Sequence, residues 1–96
     1  MLEHETRLYT DSIGPQDPPL ENINHERINQ LDKWGQQTHT LPGWGNILAE
    51  EHGEVQKAIC DYCVVDGGGT KGHLMHELVQ LMTVATNIYI MLERDD

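Results

Sequence analysis

The chain has 96 residues, which is enough for one small domain and too few for two. With 16 Asp and Glu against 6 Lys and Arg, its formal net charge is -10, which excludes a binder of duplex nucleic acid because such a protein needs a basic face for the phosphates. Apolar residues make up 38% of the sequence, few for a self-sufficient core of this size, so we expect a homo-oligomer.

The first part of the chain differs in character from the rest. Residues 1–16 are polar and mixed, contain no apolar run, and are predicted to form a flexible N-terminal arm. They do not resemble a signal peptide, and no stretch of the chain is long enough to span a membrane. We therefore expect a cytoplasmic protein with a single helical domain over residues 17–96.

The first predicted helix starts at Asp17-Pro18, since Asp caps free N–H groups and Pro is tolerated at the first helical position. Apolar residues at helical spacing continue it as far as Gly35. Residues 36–45 contain a Pro-Gly pair and are predicted to form a loop.

The second predicted helix covers about residues 45–64, and Gly67-Gly68-Gly69 after it forms a flexible connector. Thr70 can cap a third helix over about residues 71–94. This last helix is apolar around much of its circumference, so it requires neighbours beyond the other two. No credible strand pairs occur. The predicted fold is all-α, an antiparallel bundle of about three helices per chain completed by a second subunit.

Two glutamates interrupt the apolar faces of the second and third helices, Glu51 and Glu77. Taking an ionised carboxylate out of water costs several kcal/mol even after relaxation, and carboxylates brought together repel one another. A hard divalent cation with oxygen ligands balances such a group. The two faces consist of Leu48, Glu51, Val55 and Ala58, and of Leu74, Glu77, Leu81, Val84 and Ile88.

The spacing of the acids defines a candidate ligand set. Glu51 and Glu54 are three residues apart, as are Glu77 and Gln80, so each pair projects from one helix face. Together these side chains can form a Mg²⁺ site, with water and substrate phosphates at the other octahedral positions; Mn²⁺ is the alternative ion. A merely solvated acidic face explains Glu50 well, but it explains the two glutamates on the apolar faces poorly.

Other sites are excluded by spacing. No Glu-x-x-His, His-Glu-x-x-His or Gly-x-x-x-x-Gly-Lys pattern occurs in the sequence. Cys60 and Cys63 form a single Cys-x-x-Cys, which is half of a typical zinc site and lacks the strand-turn-helix context of a redox motif. We expect both to be ordinary reduced thiols.

The order Glu50, Glu51, Glu54, then Glu77 and Gln80, resembles the signature of the MazG-like, all-α nucleoside triphosphate pyrophosphohydrolases, which is Glu-Glu-x-x-Glu on one helix and Glu-x-x-Asp on the next. The resemblance covers about residues 20–94. It departs from the pattern at one ligand, where a neutral Gln stands in place of Asp and removes a negative charge from the site.

Further positions fit the same family. Asn87 stands seven residues after Gln80, where family members commonly carry an Asn that meets the nucleotide. His25 and Trp34 resemble a His and a Trp that some members use near the base, and Lys33-Trp34-Gly35-Gln36 is similar to the small phage and bacterial members. The resemblance implies a dimer or tetramer that hydrolyses a (deoxy)nucleoside triphosphate to the monophosphate and pyrophosphate.

The resemblance also implies roles for individual residues. The metal ligands would be Glu51, Glu54, Glu77 and Gln80. Glu50 would orient or deprotonate the attacking water, or else be a surface glutamate, and Trp34 would stack on the base or else anchor the core. Asn87 needs a partner on its apolar helix, either the ligand or backbone. The remaining candidates for substrate contact are His25, Lys33, Lys57 and Lys71.

Two other functions remain open from the sequence. Gln80 favours a non-catalytic helical assembly or regulatory module whose degenerate site only binds metal or nucleotide. A purely structural bundle with solvated acids is the third possibility.

Overall fold

The computed structural model describes residues 6–9, 17–64 and 68–95. Within these ranges the chain forms three helices and no β-strand: α1 (Leu20–Trp34), α2 (Leu41–Cys63) and α3 (Lys71–Arg94). The prediction of an all-α fold is therefore confirmed. Most of the predicted arm, residues 1–16, lies outside the described residues, as does the first glycine of the connector.

The start of α1 differs from the prediction. The helix begins at Leu20 rather than at Asp17-Pro18, and the residue before it, Pro19, makes no side-chain capping bond. The reason is the second proline, because a residue that precedes proline is disfavoured in the helical region. Pro18 precedes Pro19, so the helix cannot begin before the pair ends. At the other end Gly35 has a φ of 72° and donates its N–H to the carbonyl of Leu31, so α1 ends where it was expected to.

The start of α2 was also predicted wrongly. The helix begins at Leu41, inside the predicted loop, because the Thr40 hydroxyl accepts a hydrogen bond of 3.2 Å from the N–H of Gly43. Pro42 then falls in the first turn, where its missing N–H has no helical partner to lose. Pro42, which the sequence predicts to lie in a loop, is part of the helix start.

The predicted bounds of α3 are confirmed. Its cap is Thr70, whose hydroxyl accepts a 3.0 Å hydrogen bond from the N–H of His73. Just before the cap, Gly69 passes so close to α2 that a Cβ there would lie 2.5 Å from the carbonyl carbon of Asp61 and 2.6 Å from the nitrogen of Tyr62. Only glycine permits this approach, which brings the end of α2 against the start of α3.

Helix α3 is the centre of the fold. It packs on both other helices, whereas among the described residues no Cα atom of α1 comes within 8 Å of one in α2. Helices α2 and α3 are antiparallel, since the end of α2 meets the start of α3 at Gly69. The buried apolar residues join all three helices: Ile23 from α1, Trp44, Val55 and Ala58 from α2, and Val84 from α3.

One face of α3 is covered only in part by the other two helices, since three of its residues border a cavity beside α1. Apolar residues recur on it at alternating intervals of three and four, and they are partly or largely exposed, with Met75 at 55%, Tyr89 at 68% and Leu92 at 52%. We call this face the α3 stripe; it consists of Met75, Leu78, Met82, Ala85, Tyr89 and Leu92. No helix in the described part of the chain has the length and apolarity needed to cross a membrane.

Candidate metal centre

Three carboxylates meet at the contact between α2 and α3. Glu51 and Glu54 come from one face of α2, and Glu77 comes from α3. Each offers an oxygen that lies within 4.8 Å of the other two. The antiparallel pairing explains the meeting, because it sets the middle of α2 beside the first half of α3. The structure thus brings together three of the four predicted metal ligands, and we call them the acidic cluster.

Burial distinguishes the members of the acidic cluster. Glu54 is exposed, whereas Glu51 and Glu77 are half-buried, the Glu77 side chain being only 13% exposed. One oxygen in each of these two, Oε2, is buried and has no hydrogen-bond partner. A buried acceptor without a partner costs about 1–3 kcal/mol, and more when it is charged. Neither of these two buried oxygens therefore has a donor to offset the loss of water within the described residues.

The pKa of Glu51 also shows that its charge is not balanced by its surroundings. Burial raises the pKa of this carboxyl above its ordinary value of 4.5, and the neighbouring charges of Glu54, Glu77 and Glu50 raise it further. His76 acts in the opposite direction and lowers it. The charged form of Glu51 is thus disfavoured first by desolvation and then by repulsion between like charges.

A histidine that sequence reasoning left without a role lies beside the cluster. His73 Nε2 is 3.8 Å from Glu77 Oε1, four residues further along α3. The i, i+4 spacing was visible in the sequence and identifies this pair. As an imidazolium His73 would partly balance Glu77, but its ring is 55% exposed and it does not reach the buried Oε2 atoms.

The donor chemistry of the cluster fits a hard divalent cation. All three groups are carboxylates, which are the ligands that Mg²⁺ and Mn²⁺ prefer, and they come from rigid helices. An ion among them would give both buried Oε2 atoms the partner they lack and would offset the repulsion that acts on Glu51. Thiols take no part, since Cys60 and Cys63 are both free and lie further along α2.

The fourth predicted ligand, Gln80, makes other contacts. Its Oε1 accepts a 3.1 Å hydrogen bond from Gln30 of α1, and its Nε2 lies 3.5 Å from Nε2 of His76. Gln80 thus links α3 to α1, in addition to lying one turn from Glu77. A carbonyl oxygen has two lone pairs, so the bond from Gln30 leaves one for a cation. Its role as a ligand stays a prediction.

Asn87 has a partner that was not foreseen. Its Oδ1 accepts a 2.8 Å hydrogen bond from Nε of Arg27 on α1. The sequence argument required a ligand or backbone partner for this amide, and the structure supplies a side chain sixty residues away instead. Arg27 itself carried no predicted role, because nothing in the spacing of α1 shows which residue of α3 it will face.

The predicted water-activating and phosphate-binding residues are exposed. Glu50 is exposed on α2, close enough to raise the pKa of Glu51 through its charge. Lys57 lies one turn after Glu54 and forms a 3.4 Å ion pair with Asp61. Lys71 is exposed at the start of α3.

The residues predicted to lie near the base are found on α1. His25 is exposed and borders a cavity of 420 Å³ between α1 and α3 that His76 also lines. Trp34 is 62% exposed and the ammonium of Lys33 lies 4.8 Å from its ring centre, so Trp34 is not a core anchor. The buried tryptophan is Trp44, which was assigned no function.

Comparison of the chain with known protein families, with curated proteins and with solved structures finds no match in any of the three. The case for a function therefore rests on the residues and their geometry.

Proposed function

We propose that this chain is a Mg²⁺-dependent nucleoside triphosphate pyrophosphohydrolase, which converts a (deoxy)nucleoside triphosphate to the monophosphate and pyrophosphate in the cytoplasm. One observation carries the proposal: three carboxylates from two helices meet within 4.8 Å, and two of them bury an oxygen that has no partner. The resemblance of their sequence order to the MazG-like signature supplies the reaction class. Mn²⁺ is the alternative ion.

In this proposal Glu51, Glu54 and Glu77 hold the metal, and Gln80 completes the set through its second lone pair. The ion, when bound, neutralises negative charge on the phosphates and on the departing pyrophosphate. Glu50, exposed beside the cluster, orients a water molecule and accepts its proton as the water oxygen attacks phosphorus. The bond that breaks joins the attacked phosphorus to the bridging oxygen, which leaves with the pyrophosphate.

Three lysines are assigned to the phosphates. Lys57 is one turn from Glu54 and forms an ion pair with Asp61. Both side chains are exposed, Lys57 at 80% and Asp61 at 38%. An exposed pair of this kind contributes at most about 1 kcal/mol, so Lys57 can leave Asp61 for a phosphate at little cost. Lys71 and Lys33 are proposed for further phosphate contacts, and His25, Trp34 and Asn87 for the nucleoside.

The proposal includes a homodimer formed through the α3 stripe. Apolar residues alternating at intervals of three and four over 18 positions are the pattern by which one helix packs lengthwise on another. Neither α1 nor α2 packs closely along this face: Met75, Leu78 and Met82 border the cavity beside α1, and Tyr89 and Leu92 are more than half exposed. Two stripes packed together would complete the bundle; a tetramer would need a second surface.

Pyrophosphate release from a panel of eight NTPs and dNTPs tests the activity, with Mg²⁺, with Mn²⁺ and with EDTA. We expect release from at least one nucleotide with either ion and none with EDTA. Glu54→Gln should abolish it, whereas Glu93→Gln, which removes an exposed carboxylate of α3 outside the cluster, should not. A protein that binds metal and nucleotide but releases no pyrophosphate would refute the hydrolase.

A binding-only module is the second candidate, and Gln80 is the observation that favours it. Its oxygen is engaged by Gln30, and it lacks the charge that the resemblance calls for. The variant Gln80→Asp separates the two candidates: activity that appears only in this variant identifies a degenerate binding module, and activity already present in the natural sequence identifies the enzyme.

A further inference from the structure

A second cavity, of 580 Å³, lies between α1 and the last turns of α3, and Trp44 of α2 also lines it. Its charged lining residues are Arg27 of α1 and Arg94 of α3, with the amide of Asn87 beside them. We call it the arginine groove. No carboxylate lines it within the described residues.

The groove is positively charged, whereas the chain as a whole is negatively charged. The sequence holds 16 acidic residues and only 6 Lys and Arg, yet two of those six border one cavity that no carboxylate of the described residues lines. Neither Arg27 nor Arg94 forms an ion pair among the described residues. The hydrogen bond of Arg27 goes to a neutral amide, which leaves its charge unbalanced. Two unbalanced guanidinium groups on one cavity favour an anion.

The polar groups of the groove are mainly hydrogen-bond donors. Arg27 uses its Nε–H on Asn87 Oδ1, so the four N–H groups of its two terminal nitrogens make no hydrogen bond within the described residues. The same bond occupies the acceptor of Asn87 and leaves its NH₂ group to donate. Guanidinium groups pair with phosphate oxygens in a two-pronged geometry. The groove therefore suits a group rich in acceptors and carrying negative charge.

Part of the lining is apolar and suits an apolar or aromatic part of a ligand. Ile28 and Leu31 form one wall, and Ile90 and Met91 form the other. The volume lies within the range of small-molecule sites, about 300–1,000 Å³. A ligand here would thus combine a phosphate with an apolar or aromatic part.

Dimerisation through the α3 stripe would leave this groove open. Asn87 is two residues from both Ala85 and Tyr89 of the stripe, and two residues along a helix correspond to a rotation of about 200°. Arg94 is seven residues after Asn87 and returns to nearly the same face. The groove and the stripe are therefore on opposite sides of α3.

We propose that the arginine groove binds the phosphate group of a small phosphomonoester and does so without a metal ion. Arg27 and Arg94 supply the charge, Asn87 supplies a directed donor, and the apolar walls hold the body of the molecule. The inference does not depend on the proposed hydrolase activity, because Arg27 and Arg94 have no part in that activity and only Asn87 is common to the groove and the proposed nucleoside contacts.

Calorimetric titration in EDTA tests the proposal, with adenosine monophosphate, adenosine and inorganic phosphate as probes. We expect saturable binding of the monophosphate and at least about tenfold weaker binding of adenosine, since only the former has the anion. Inorganic phosphate shows whether the groove binds a free phosphate ion or the phosphate of a larger molecule. Binding as tight as that of the monophosphate identifies a free-anion site and contradicts the proposal. Weaker binding shows that the apolar walls contribute.

Matched variants locate the site. Arg27→Gln should weaken binding of the monophosphate at least about tenfold, and Arg94→Gln should weaken it in a protein that keeps the Arg27–Asn87 bond. Arg7→Gln makes the same change of charge outside the groove, at an arginine with no assigned role, and should have no effect. Circular dichroism checks that each variant is folded.

Three further results would overturn the proposal. The first is no saturable binding of either phosphate probe up to roughly 10 mM. The second is a loss of binding in Arg7→Gln as large as in Arg27→Gln, which would indicate general charge attraction. The third is a change of oligomeric state in Arg27→Gln with no phosphate binding in the natural sequence, which would assign the groove to carboxylates of a second copy.

Discussion

The acidic cluster and the arginine groove lie on different faces of the same helix and have opposite chemistry. The cluster gathers three carboxylates where α3 meets α2 and buries two of their oxygens without partners. The groove gathers two arginines where α3 meets α1 and contains no carboxylate within the described residues. Each concentrates charge that the fold does not neutralise internally. Our two proposals follow from this difference, a cation for the first region and an anion for the second.

The largest expected effect concerns catalysis at the cluster. Glu77→Gln keeps the shape of the side chain but removes a charged ligand, and we expect pyrophosphate release to fall at least about 100-fold, since loss of even an outer-shell partner costs about 10–100-fold. Initial rates at saturating Mg²⁺ measure it. Arg27→Gln, in the groove, should retain Mg²⁺ dependence. If both variants lost the Mg²⁺ dependence of pyrophosphate release equally, the acidic cluster and the arginine groove would not have separate roles.

The remaining face of α3 predicts an effect on assembly. Placing two charges in the stripe with Leu78→Glu and Tyr89→Glu should split the proposed dimer into chains of 10.9 kDa, because ionised carboxylates cannot be buried between apolar faces. Light scattering after gel filtration gives the mass.

The matched control for assembly is Ile59→Glu, which adds a charge at a 38% exposed apolar position of α2 outside the stripe. It should leave the mass unchanged. A natural chain that is already monomeric, or a double variant that remains dimeric, would show that the stripe is not the interface.

A smaller effect is expected on thermal stability. If the cluster binds Mg²⁺ in the folded state only, ten times the Kd of Mg²⁺ adds about 1.4 kcal/mol to the free energy of unfolding. For a domain of this size that raises Tm by about 5–10 °C. Scanning calorimetry with and without Mg²⁺ measures it. Glu51→Gln should lose the increase and Glu93→Gln should keep it; a Tm indifferent to Mg²⁺ in the natural sequence would favour a purely structural bundle.

The smallest predicted effect is a dependence on pH in the metal-free protein. Because the pKa of Glu51 is raised in the folded state, folding favours its protonated form. The free energy of unfolding therefore falls as pH rises from 4.5 through the raised pKa, and the loss persists above it. Glu51→Gln has no charge to lose, so it should be more stable than the natural sequence near neutral pH and nearly equal to it in acid.

Urea unfolding in EDTA at a series of pH values measures that difference. Groups that do not interact with Glu51 titrate alike in both proteins and cancel in the comparison. A stability difference that is largest in acid, or that has the opposite sign near neutral pH, would contradict the burial of an unbalanced charge at Glu51.

The sequence predicted the elements that depend on local chemistry. The cap at Thr70 and the end of α1 at Gly35 follow from rules that act within a few residues. The meeting of Glu51 with Glu77 was predictable because both glutamates interrupt apolar faces, which shows them to be near the core. The start of α1 was predicted wrongly because Pro18 was treated as a tolerated first helical residue. The restriction that Pro19 places on the residue before it was not considered.

The contacts of α1 were not predictable in the same way. Arg27 bonds to Asn87 and Gln30 bonds to Gln80, across sixty and fifty residues. Which side chains meet there depends on the angle at which α1 crosses α3, and periodicity gives only the face of each helix, not the crossing angle. The arginine groove was therefore not visible in the sequence, since its two cations lie on different helices with nothing in their spacing to link them.

The binding of Mn²⁺, followed by electron paramagnetic resonance, tests the central claim most directly, because the signal of the free ion falls when the ion is bound. We expect one Mn²⁺ per chain, displaced by Mg²⁺, with binding lost in a variant that carries both Glu54→Gln and Glu77→Gln and retained in Glu93→Gln. Mn²⁺ that stays free beside the natural chain, or that binds the double variant as tightly, would show that these carboxylates do not form a metal site.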